Sequence, residues 1–85
     1  MIIKLSEEDK RLIASRIKEI REDNKLTLKE LGTIILVSDA TVSRYETGEV
    51  ENIPIPRIKL LSEKFGINPA WILGMSEKKH LNGKE

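Results

Sequence analysis

Apolar positions return at helical spacing along most of the chain. Leu12, Ile13, Ile17 and Ile20 form one stripe, and Arg11, Arg16, Lys18, Glu19, Glu22 and Asp23 fill the remaining faces. That pattern is the signature of an amphipathic helix. Ser6 before Glu7, Glu8 and Asp9 offers a hydroxyl N-cap and carboxylates at the positive end of the helix dipole. A first helix is therefore predicted from there to about Asn24-Lys25. Thr27 and Glu30 have the spacing of a capping box, ahead of Leu31 and Ile34 or Ile35. Ser38 is a third N-cap, followed by Val42 and Tyr45 on the inner face and by Gly48 as a left-handed stop. Pro56 opens a fourth helix with Ile58, Leu61 and Phe65 inward, ending at Gly66. Asn68 and Pro69 begin a short fifth helix that stops at Gly74. No segment alternates with a period of two, so the predicted fold is all-α with five helices. The apolar segment Ile2–Leu5 reads as an arm against the body. The polar composition from Ser76 to Glu85 reads as a flexible tail, giving one domain over 1–75 and a tail over 76–85.

Composition narrows the chemistry. The 85 residues contain no cysteine and one histidine, His80, so thiolate chemistry, cysteine–histidine metal sites and histidine-based triads are excluded by inventory. No apolar run approaches the roughly 18 residues of a membrane span, and no signal-peptide pattern opens the chain. These features suit a cytoplasmic binding domain that needs no metal and no cofactor. Fifteen basic and fourteen acidic side chains give a net charge of +1. The whole-chain field therefore gives little indication of nucleic acid, and pattern has to carry the functional reading.

That pattern is a pair of short capped helices joined by about three residues, the second with a polar outer face: a helix-turn-helix. A helix presented on the surface of a small bundle can enter a major groove about 12 Å wide. Several segments resemble the lambda-repressor-like, or Xre-type, helix-turn-helix regulators of phages and bacteria. They are Arg16–Arg21, Leu26–Leu31, Val37–Gly48 and Phe65–Gly74, together with the proline-opened helix between the last two. The resemblance runs in register over about residues 11–75. It implies a compact five-helix bundle with a central helix-turn-helix. The activity implied is binding to double-stranded DNA at a pseudo-palindromic operator, as a repressor and as a homodimer.

On a helix capped by Ser38 with Val42 and Tyr45 inward, Asp39, Ala40, Ser43 and Arg44 point outward or to the edges. Arg44 is the main base-reading candidate, because its fork matches guanine O6 and N7. Ala40 suits a thymine methyl. Asp39 suits a cytosine amine, although it serves equally well as a partner of the helix dipole. Ser38, Thr41 and Thr47 offer hydroxyls to the DNA backbone, and Lys29, Arg57 and Lys59 offer cations. The resemblance also places Arg21 and Glu46 at positions that pair internally, which implies a partly buried salt bridge between the first helix and the recognition helix.

The chain departs from the family at several points. Leu28 stands where a glutamine often bridges to phosphate, and Gly32 where alanine is usual. Leu36 stands in a turn that commonly holds glycine, and Glu49 and Glu51 lie where basic residues are frequent. These acids and exposed leucines favour an alternative function: a protein-interaction module, such as an antitoxin or antirepressor subunit, that keeps the bundle without an operator.

Overall fold

The computed structural model describes residues 6–49 and 52–81. The expected arm at 2–5, the loop acid Glu51 and residues 82–85 lie outside the described residues. Five α-helices follow in order: α1 Glu7–Asp23, α2 Leu28–Ile35, α3 Asp39–Thr47, α4 Ile55–Phe65 and α5 Pro69–Ile72. No strand forms among the described residues, apart from an isolated antiparallel bridge between Ile67 and His80.

Four of the five helices, all but α4, start where a side chain satisfies the first amides. Ser6 Oγ accepts from the Asp9 amide at 3.0 Å, and the Asp9 carboxylate accepts from the Ser6 amide at 3.2 Å. Thr27 and Glu30 make the same reciprocal pair at 3.0 and 2.8 Å. Ser38 Oγ takes the Thr41 amide at 3.1 Å, and Asn68 Oδ1 takes the Ala70 amide at 3.0 Å. Such caps satisfy donors that have no partner within the helix.

Three of the helix ends share one device. The chain turns through a left-handed residue and then packs an apolar one against the core. After α1 it is Lys25 (φ 55°) then Leu26, after α2 Leu36 (φ 65°) then Val37, and after α4 Gly66 (φ 65°) then Ile67. In each, the amide of the apolar residue reaches back five residues to a helix carbonyl: Leu26 to Arg21, Val37 to Gly32 and Ile67 to Ser62. This is the Schellman arrangement, and its hydrophobic contact fixes the exit direction of the chain.

The core joins Ile13, Ile17 and Ile20 of α1 to Leu31 and Ile35 of α2, Val42 and Tyr45 of α3, and Ile58 and Leu61 of α4. Ile67, Trp71 and Ile72 close it from below. α3 packs on α1 and α2, α4 on α2, and α5 on α1 and α4. The second helix of the motif is thereby held on two sides with its third side outward.

Two expectations are adjusted. Phe65 is half-buried rather than fully inward, because it borders a surface groove between α2 and α4. Pro56 does lie in the first turn of α4, with Ile55 before it and Pro54 at the cap position. Residues 76–81 do not behave as a free tail. Asn68 donates from its amide to the Lys79 carbonyl at 2.8 Å and from Nδ2 to the Lys78 carbonyl at 2.9 Å. The Leu81 amide donates to the Gly66 carbonyl at 3.1 Å. Lys79 then lies over the Trp71 ring and reaches Glu19 at 2.7 Å and Asp23 at 2.6 Å. The polar composition of this stretch reflects a strap held by hydrogen bonds and charge.

Candidate nucleic-acid interface

The exposed surface of α3 follows from which of its residues the core takes. Val42 and Tyr45 are buried, which turns Asp39, Ala40 and Arg44 to solvent and leaves Thr41 and Ser43 half-buried at the edges. Thr47 is exposed at the end of the helix, and its hydroxyl donates to the Arg44 carbonyl at 3.2 Å. Asp39 Oδ1 accepts from the Ala40 amide at 2.8 Å, so its carboxylate folds onto the helix start and complements the dipole there. Ser38 Oγ and Thr41 Oγ1 lie 3.0 Å apart as a linked pair of hydroxyls.

Lys29 is exposed on α2. It borders an open cleft of about 390 Å³ whose other walls are Thr33, Val37, Ser38 and Asp39. The fold thus brings Lys29, Ser38 and Asp39 to one place. Arg57 and Lys59 go elsewhere. The half-buried Arg57 donates from Nη1 to the carbonyl of Ile35 at 3.1 Å, against the end of α2. Lys59 is exposed on α4, which packs on α2 and α5. Leu28 is half-buried against the core, so the residue at the usual glutamine position packs inward here.

Beneath α3, Arg21 and Glu46 form a two-pronged ion pair. Arg21 Nε meets Glu46 Oε2 at 2.7 Å, and Nη2 meets Oε1 at 3.0 Å. Nη1 donates to the Leu26 carbonyl at 2.9 Å. The side chains are 16% and 7% exposed, so the pair is largely shielded from water. The hydrogen bonds that Arg21 donates to Glu46 raise the Arg21 pKa, outweighing the opposing effect of burial. A charged fork that ties α1 to the last turn of α3 and to the chain entering α2 fixes three parts of the motif together.

The turn between α2 and α3 is unusual in two ways. Leu36 sits at φ 65° and ψ 43°, a conformation that costs a non-glycine residue about 1–2 kcal/mol. It is also 69% exposed, so burial does not repay that cost. Gly32 is a packing requirement: a Cβ there would lie 2.5 Å from the Val37 carbonyl oxygen. The alanine usual at this position would collide with the backbone of the turn.

Sequence reasoning missed a second arginine. Arg16 donates to the Trp71 carbonyl and lies 4.6 Å from the centre of the Trp71 ring, so one indole is flanked by Arg16 and Lys79. Nothing in helical spacing signals such a contact, because its partner lies 55 residues away. Among the described residues, no group of His, Asp or Glu side chains could hold a metal ion, and no helix is long and apolar enough to cross a membrane.

Three solved structures share the fold. The P22 c2 repressor, crystallised with a synthetic operator, has a TM-score of 0.67 at 25% identity over 75% of this chain and 96% of that one. A hypothetical transcription factor from Neisseria has a TM-score of 0.67 at 20% identity, covering 86% and 84% of the two chains. The hydroxypropylphosphonic acid epoxidase of S. wedmorenis has a TM-score of 0.71 at 18% identity. That match covers 80% of this chain and 36% of the epoxidase, so it is a likeness of fold. Among curated protein sequences, nothing matches the chain. The helix-turn-helix family model matches residues 17–72, a span that holds the caps of α2 and α3, the inward Val42 and Tyr45 and the Arg21–Glu46 pair. The chain therefore belongs to the Xre-type, lambda-repressor-like family of helix-turn-helix domains.

Proposed function

We propose that this protein is a sequence-specific regulator of transcription, a repressor. It lays residues 38–46 in the major groove of double-stranded DNA and binds a pseudo-palindromic operator as a homodimer in the cytoplasm. The observation that carries the reading is the division of α3: Val42 and Tyr45 are buried, while Asp39, Ala40 and Arg44 are exposed on a helix braced from two sides. The P22 c2 repressor, whose structure contains an operator, supports it through a shared fold over most of its length.

In this reading Arg44 contacts a guanine with its fork, a pairing worth about 1–3 kcal/mol of discrimination. Ala40 and Ser43 flank it, and Asp39 faces a cytosine amine. Lys29, Ser38, Thr41 and Thr47 position the helix against phosphates. Lys59 adds a phosphate contact at the periphery. Two copies on a symmetric site would place their recognition helices about 34 Å apart.

Gel retardation over a range of salt, using duplex from the region upstream of the gene, tests the reading. The expected result is binding that weakens steeply as salt rises, because released counterions drive phosphate contacts. Lys29→Ala should weaken binding to all sequences alike and reduce the salt slope by about one. A second reading, a protein-interaction module, is favoured by one observation. Leu36, Ile34, Leu60 and Phe65 line an open groove of about 480 Å³ with Thr33 and Lys64. Failure to bind DNA at any salt would favour that module.

A further inference from the structure

Leu36 occupies a conformation that its own side chain disfavours, and its exposure shows that the core does not hold it there. Something else must keep the turn, since backbone strain persists only where the surroundings over-determine it. Two features of the turn's surroundings do so. Gly32 lets the Val37 carbonyl approach α2 closely, and its own carbonyl accepts from the amides of both Leu36 and Val37. The carbonyl of Ile35, the last residue of α2, is one of the acceptors that a helix end cannot satisfy internally. Arg57, reaching from α4, donates to it at 3.1 Å.

We infer that Arg57 is a positioning residue of the helix-turn-helix: its guanidinium pins the end of α2 and so holds the left-handed turn that aims α3. This differs from a role as a phosphate contact, and it rests on the DNA-binding reading above. The turn sets the direction in which the chain enters the Ser38 cap, so loosening it lets α3 swing relative to α2. Binding would then weaken without the loss of any contact to DNA. Glycine at position 36 would adopt the same backbone without strain, and the turn would need the clamp less.

The test combines amide hydrogen exchange with DNA titration in Arg57→Ala, Leu36→Gly and the double variant. A hydrogen bond from a charged donor contributes enough that its loss should speed exchange of the Val37 and Thr41 amides by roughly tenfold or more. The amides of Ile17 and Ile20 in α1 should change far less. Affinity for a duplex selected from a random pool should fall about as much in Arg57→Ala, with the salt slope unchanged. Leu36→Gly in the Arg57→Ala background should recover both. Exchange that is unchanged, or that rises evenly through the whole chain, would overturn the inference. So would a salt slope lower by about one, the mark of a lost phosphate contact. Should the unaltered protein bind no duplex, the regulator reading fails by itself, and the exchange pattern alone decides whether Arg57 holds the turn.

Discussion

Removing the carboxylate of Glu46 is the most informative perturbation of the scaffold beneath α3. Glu46→Ala leaves Arg21 facing the Leu26 carbonyl, with its Nε and Nη2 donors unpaired in a site where little water reaches. Breaking a well-buried ion pair from one side costs about 3–5 kcal/mol. Arg21 keeps some solvent contact and one carbonyl partner, which places the expected loss nearer about 2–3 kcal/mol. A domain of this size is stabilised by only about 4–13 kcal/mol in total. The loss should therefore lower the melting temperature by roughly 10–20 °C. Urea unfolding, followed by circular dichroism and by the fluorescence of the single tryptophan, Trp71, measures it directly. The double variant Arg21→Met/Glu46→Ala should be less destabilised than the sum of the two single variants, because no buried charge is left alone. A single-variant loss below about 0.5 kcal/mol, the range of ordinary surface changes, would refute the reasoning. Strict additivity in the double variant would also refute it.

Two further variants probe other parts of the structure. Gly32→Ala should destabilise the protein although alanine favours a helix interior by about 1 kcal/mol, because the new methyl meets the Val37 carbonyl; a higher urea midpoint would contradict the close approach. Lys79 is subject to burial, which lowers its pKa. Its hydrogen bonds to Asp23 and Glu19 and their charges outweigh that effect and raise it above the ordinary 10.5. Its contribution to stability is then complete below pH 10.5 and lost as pH rises through the higher folded value. The urea midpoint of the native chain should fall relative to Lys79→Met above that pH, and parallel curves would show that the strap carries no such linkage.

The helices were legible because their signals are local. Ser6, Thr27, Ser38 and Asn68 cap within three residues, and the apolar stripes of α1 and α3 read directly as inward faces. The left-handed position of Leu36 was not legible, since leucine disfavours that conformation and only the surroundings of the turn impose it. The strap at 76–81 was not legible. Its contacts join residues up to 60 apart, and its polar composition is the same as that of a solvated tail. Arg57 was similarly ambiguous, because an arginine one turn into a helix suits a phosphate as well as a carbonyl. Only the placement of α4 against the end of α2 distinguishes the two. The charge balance gave little indication of nucleic acid because it averages over the molecule, whereas the proposed interface depends on the few residues that α3 leaves outward.

The central claim is that the outward face of α3 reads bases. Selection of binding sites from random duplexes, carried out in parallel on the native chain and on Arg44→Ala, tests it most directly. The account predicts a two-fold-related consensus with half-sites about one helical turn apart. It also predicts loss of a guanine preference at one position per half-site in the variant. Enrichment of no sequence by the native chain, or an identical consensus from both proteins, would contradict it.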